Sequence, residues 1–164
     1  MTSLTISTYH DGVHTPLVPS IDFSPAKATL SDVMDDVFHG HRIRLVSRHH
    51  GKEQMLLVRP DDLMALLDGH RLDVIAVYDH DEVTLRVPEM GVLGAGPNLT
   101  EAIDDLLSEL RIYAERFFEE PARYMATSRR AHAPVLLRFA LAGEEQQRSM
   151  LGIGGAAADR VPAT

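Results

Sequence analysis

The chain contains no cysteine, so disulfides and thiolate metal sites are excluded. It has no apolar run near the roughly 18–20 residues that a membrane-spanning helix requires. Residues Met1 to His14 show neither the basic start nor the apolar middle of a secretion signal, which leads us to expect a cytoplasmic protein. No internal repeat is visible. Positive charge is also scarce: 16 Lys and Arg stand against 24 Asp and Glu, a net of −8, which by itself argues against a nucleic-acid binder. What remains is 164 residues, 45% apolar and 24% charged, enough to bury a core in one ordinary domain or two small ones.

The charge is unevenly spread. Residues 42 to 52 hold four cations (Arg42, Arg44, Arg48, Lys52) and no acid, with His39, His41, His49 and His50 inside or beside them. Residues 73 to 142 hold twelve acids against seven cations. The first half can therefore present a basic face although the chain as a whole is acidic.

Ser24 followed by Pro25 reads as a helix start, a cap oxygen and then a proline at the first helical position. Ala26, Leu30, Val33, Met34 and Val37 follow at helical spacing, and Gly40 stops the helix. A short strand around Ile21 to Phe23 precedes it. Two strands follow, one with Ile43 and Leu45 and one over Gln54 to Val58, joined by a His49-His50-Gly51-Lys52 hairpin loop. Pro60-Asp61-Asp62 opens a second helix with acids in its first turn, and Gly69 closes it. Further on, the spacing predicts a strand over Val74 to Tyr78 and a half-buried one through Val83, Leu85 and Val87. A flexible link at Gly91, Gly94 and Gly96 comes next. Asn98 and Glu101 then cap a long helix through Leu106, Leu110 and Phe117. One or two helices after Pro121, broken at Pro134, reach about Ala142. Residues 1–19 read as a flexible arm and 143–164 as a disordered tail.

Lys27 is the most informative residue for chemistry. Three positions after Ser24, a cation in the first turn opposes the helix dipole, at a cost of about 0.3–1 kcal/mol unless an anion offsets it. A lysine beside the free N–H groups of that turn makes a phosphate site; the alternative is an ordinary solvated lysine. Arg42, Arg44 and Arg48 alternate, so they share a sheet face, either as a binding surface or as common surface arginines. The histidines lack carboxylate or cysteine neighbours at metal-ligand spacing, so we expect no metal and no cofactor. Ser24-x-x-Lys27 matches the serine–lysine pattern of penicillin-binding enzymes, but their further motifs are missing. Gly91-x-x-Gly94-x-Gly96 is not the dinucleotide fingerprint. Asp79, Asp81 and Glu89 are the only carboxylates near strand ends that could serve a metal-dependent nuclease. We expect no enzyme.

The segments IDFSPAKATLSDVMDDV and RIRLVSRHHGKEQMLLVRPDDLMALL, within residues 20–68, resemble the Phd/YefM (prevent-host-death) antitoxin family. The resemblance implies a β-α-β-β-α unit over 20–71 that dimerises and grips palindromic promoter DNA, so that the protein represses its own operon. It places DNA contacts at Lys27 and Arg48, the positions already singled out by charge, and by extension at Arg44, Lys52, Ser24 and His49. Lysine in place of the family's arginine at residue 27 removes bidentate base reading and favours a phosphate contact. The segment EVTLRVPEMGVLGAGPNLTEAIDDLLSEL, within 74–118, resembles the HicB antitoxin core. That resemblance implies an α+β fold overall, with a HicB-like β-β-α unit and C-terminal helices over 74–142 that hold a toxin, a ribonuclease by the family's habit. The rival reading is a protein-interaction or ligand-sensing module without DNA binding.

Overall fold

A computed structural model describes residues 18–153, and its contacts divide the chain between Arg59 and Pro60 into two units. The fold is mixed α and β, with two three-stranded sheets and several helices. The expected arm falls mostly on residues 1–17, and the last part of the expected tail on 154–164; both lie outside the described residues.

In the first unit, β1 (Ser20–Asp22) leads into α1 (Phe23–Ala28) and α2 (Leu30–Phe38), followed by β2 (Arg44–Arg48) and β3 (Glu53–Leu57). The sheet order is β1-β2-β3, with β1 parallel and β3 antiparallel to the central β2. The single helix expected from the sequence is two. Thr29 sits between them at φ −120°, ψ 37°, and both its backbone N–H and its hydroxyl donate to the carbonyl of Pro25 at 3.0 and 3.1 Å. A β-branched residue that bonds back to the preceding turn bends or breaks a helix in this way. Gly40 does mark the end: a Cβ there would lie 2.4 Å from the carbonyl oxygen of Asp36.

The second unit opens with α3 (Pro60–Leu66) and continues with β4 (Ile75–Asp79), β5 (Glu82–Val87), β6 (Val92–Gly96) and the long α4 (Leu99–Glu119). Then come α5 (Pro121–Met125), a 3₁₀ turn (Ser128–His132), α6 (Ala133–Leu141) and α7 (Glu144–Met150). The sequence grouped α3 with the preceding strands; its contacts fall with α6, where Arg138 reaches the backbone carbonyl of Asp68 at 3.2 Å and that of His70 at 2.9 Å. Alternation in β5 is as read, with Val83, Leu85 and Val87 buried. Asn98 caps α4 by accepting from the Glu101 N–H at 3.0 Å, and its amide donates to the Glu101 carboxylate at 2.8 Å.

Two expectations need correction here. The glycine link is a strand, β6, packed directly on α4. A Cβ at Gly94 would stand 2.2 Å from the Leu106 backbone nitrogen, and one at Gly96 2.7 Å from that of Ala102. These glycines are there for close backbone approach, not for freedom. The expected disordered tail contains α7, whose Gln147 and Met150, with Leu151 just beyond, are buried. Gln147 donates to the Phe139 carbonyl at 3.0 Å and accepts from Arg111 at 3.0 Å, which fixes α7 to α6 and α4. Among the described residues no helix is long and apolar enough to cross a membrane.

Candidate nucleic-acid interface

The β2–β3 hairpin is built tightly. His49, His50 and Gly51 have φ of 52°, 58° and 82°. Glycine takes such angles freely, whereas a side chain pays about 1–2 kcal/mol for each left-handed residue. Two consecutive histidines held this way make the loop a strained one, and strain of this kind tends to gather at functional sites. At its mouth, Asp22, Phe23, Ser24, Pro25, Ser47, Arg48, His49 and His50 line an open concavity of about 560 Å³. Ser24, Arg48 and His49 are thus brought together. Lys52, in the same loop, is exposed.

Arg48 is exposed and pairs with Glu53, which stands directly opposite it across the hairpin. Its guanidinium also lies 6.0 Å from the Phe23 ring centroid. On the other sheet face, the Ser47 hydroxyl donates to Asp22 at 3.2 Å, tying β2 to β1. Arg44 does not join this group. Four residues along a strand, roughly 13 Å away, it is part-buried and paired with Asp36 of α2, which also takes Arg42 at 3.0 Å. Arg44 and Arg48 share a face of β2, whereas Arg42 lies before the strand and joins Arg44 in clamping one carboxylate.

Lys27 is exposed, yet its electrostatic setting differs from the one read in the sequence. Asp22, not Ser24, occupies the N-cap of α1, and Lys27 falls in the last turn of that short helix. There the dipole favours a cation, so no anion is needed to offset it. Neither Lys27 nor Lys52 has a side-chain partner among the described residues. Sequence reasoning missed Phe23, Ser47 and Glu53 as neighbours of Arg48. The Glu53 pairing was within reach, since a four-residue loop at 49–52 sets residue 48 opposite 53. Among the described residues no three His, Asp or Glu side chains gather to hold a metal, so Asp79, Asp81 and Glu89 form no such cluster.

Much of this unit's apolar surface stays uncovered. Among its described residues only Ala26, Val33 and Val37 are buried, while Leu30, Met34 and Phe38 form a stripe along the adjoining flank of α2 at 51, 59 and 59% exposure.

A family model described as PHD_like, antitoxin of toxin-antitoxin, RelE / RelB, TA system, matches residues 18–152. The chain belongs to this antitoxin family. The match spans both units. No curated protein matches the sequence. The crystal structure of a protein from Syntrophomonas wolfei subsp. wolfei, described as an antitoxin part of a toxin/antitoxin system, superimposes with a TM-score of 0.73. It is 16% identical and covers 81% of this antitoxin and 96% of its own chain, a likeness of fold.

Proposed function

We propose that this antitoxin binds the promoter of its own operon as a homodimer through its first unit and neutralises a cognate toxin by direct contact through its second. The observation that carries the reading is the division of charge between the units. Residues 18–59 hold six cations and five acids; residues 60–153 hold nine cations and seventeen acids. DNA affinity rests mainly on cations that replace phosphate counterions, and an acidic surface speeds capture of a basic partner such as a ribonuclease.

In this reading Lys27 and Lys52 contact phosphates, and Arg48, beside Ser24 and His49, exchanges Glu53 for the duplex. Arg44 acts at one remove: with Arg42 it fastens α2 to β2 through Asp36. The Leu30-Met34-Phe38 stripe supplies the dimer contact, because a unit of this size with three buried apolar side chains does not hold itself together well alone. The Phd/YefM character of the first unit and the HicB character of the second belong to the same reading, as does a cytoplasmic setting.

The test is a fluorescence-anisotropy titration of the full chain against a duplex from its own promoter, at several salt concentrations. Lys27→Ala with Arg48→Ala is expected to lose promoter affinity while the circular dichroism and toxin neutralisation are kept. Unchanged affinity rejects the interface. A second reading, an interaction module without DNA binding, is favoured by the ion pairs that already engage Arg44 and Arg48. It gains ground if the wild-type chain shows no salt-dependent affinity for any duplex.

A further inference from the structure

The two edges of the second sheet are unlike. On β6 the Ala95 N–H points off the sheet and donates to the Asp105 carboxylate at 2.9 Å, so a side chain of α4 caps that edge. On β4 all five residues, Ile75 to Asp79, are exposed, with Val77 at 48% and Tyr78 at 60%. The register decides which backbone groups are free. Asp79 pairs with Glu82 across the His80-Asp81 turn. A two-residue turn closes on a hydrogen-bonded pair, and bonded and non-bonded pairs then alternate along the ladder. The N–H and C=O groups of Ile75, Val77 and Asp79 therefore point to β5, and those of Ala76 and Tyr78 point outward. The strand has no proline, lysine or bulge, the usual devices that block such an edge.

Negative charge stands there instead. Asp73 precedes the strand, and Asp79, Asp81 and Glu82 gather at its hairpin end; all four are exposed, and none makes an ion pair among the described residues. A second copy added antiparallel about Ala76 would set Asp73 opposite Asp79 at both ends, and like charges directly opposite destabilise a sheet. A strand with cations at its ends meets the opposite field.

We propose that β4 is a strand-addition edge for a partner protein. Its occupant is an extended segment with alternating apolar residues, packed beside Ile75 and Val77 on one face and Tyr78 on the other, and with Lys or Arg at the ends facing Asp73 and Asp79. This rests on the reading of the second unit as the part that holds a toxin, and it names the toxin's contact.

Two synthetic peptides test it on the full-length chain, Lys-Arg-Val-Thr-Val-Thr-Val-Lys-Arg and the same core with Asp-Glu ends, read by amide exchange in NMR. The basic-ended peptide should slow exchange at Ala76 and Tyr78 and bind about tenfold more tightly than the acid-ended one. Ala76→Pro removes an outward N–H without touching the β5 ladder and should abolish binding. Asp79→Lys with Asp81→Lys keeps the backbone intact and should invert the preference between the peptides. Equal binding of both, absent protection at Ala76 and Tyr78, or protection that rises with protein concentration alone overturns the proposal. Neutralisation of the protein encoded by the adjacent reading frame separates the two levels. If the wild-type chain fails to neutralise it, the toxin reading falls while the peptide result stands. If wild type and Ala76→Pro neutralise it equally, the toxin reading stands and the edge is not its contact.

Discussion

Of the twenty-two apolar side chains that are buried among the described residues, nineteen lie in the second unit and three in the first. The second unit packs β5 and β6 against α4, then closes α6 and α7 over the remaining side of that helix. Leu85, Val87, Leu106 and Leu110 are fully inaccessible. The first unit has a sheet and two short helices but leaves Met34, Phe38 and Met55 more than half exposed. One unit carries its own core; the other presents the makings of a core to something else. Charge divides along the same boundary, near balance in the first unit and strongly acidic in the second. The less self-sufficient unit is thus also the less acidic one, and the unit with its own core holds most of the acidic residues.

Substitutions can break this contrast or sharpen it. The largest effect is expected in the second unit at Gly94→Val. The new side chain would collide with the backbone of α4, where no flexible group can yield, and more than about 4 kcal/mol should be lost. A denaturation curve in which the second unit survives would mean that α4 is not seated on β6 as described. Next comes Leu30→Asp with Met34→Asp. In an isolated first unit these exposed positions would tolerate the change within about 0.5 kcal/mol. In a dimer that buries them, association should weaken by about a hundredfold, near 3 kcal/mol. Sedimentation over a range of concentrations separates the two, and the second unit's unfolding should not move.

A smaller effect is expected from the charges. Lys27→Ala with Arg48→Ala should reduce promoter affinity by about thirtyfold and flatten its log–log salt dependence, by close to 0.9 for each phosphate no longer neutralised. Glu53→Gln frees Arg48 from its partner and should tighten binding a few-fold; weaker binding would mean that Glu53 positions the arginine rather than competing for it. The smallest effect is at Asn98→Ala, which removes the α4 cap and should cost about 1 kcal/mol in the second unit alone.

Local signals were legible where neighbours along the chain decide the outcome. The alternation in β5, the Asn98 cap, a helix following on Pro121, and the hairpin at His49 to Lys52 all appear as read. The candidate site was legible as a cluster of residue types around Ser24, Arg48 and His49. Its electrostatics were legible only in part: the Glu53 partner of Arg48 follows from the hairpin register, whereas the Asp36 that engages Arg44 comes from α2. Lys27 was misplaced for a related reason: with Asp22 as cap and a break at Thr29, the same lysine moves from a first turn to a last one.

The sequence alone determined most of the order of elements (short of the break at Thr29, β6 and α7), the absence of any thiol chemistry, the gathering of acidic charge in the second half, and the antitoxin resemblance, since all of these are properties of residue type and spacing. Tertiary structure decided the rest. It showed that Gly94 and Gly96 serve close packing rather than flexibility, that α7 is packed where a disordered tail was expected, and that α3 belongs with the helices after it. It also showed which apolar stripes and which sheet edge are left uncovered. Each of these depends on what a residue meets from a distant part of the chain, and period and composition carry no record of that meeting.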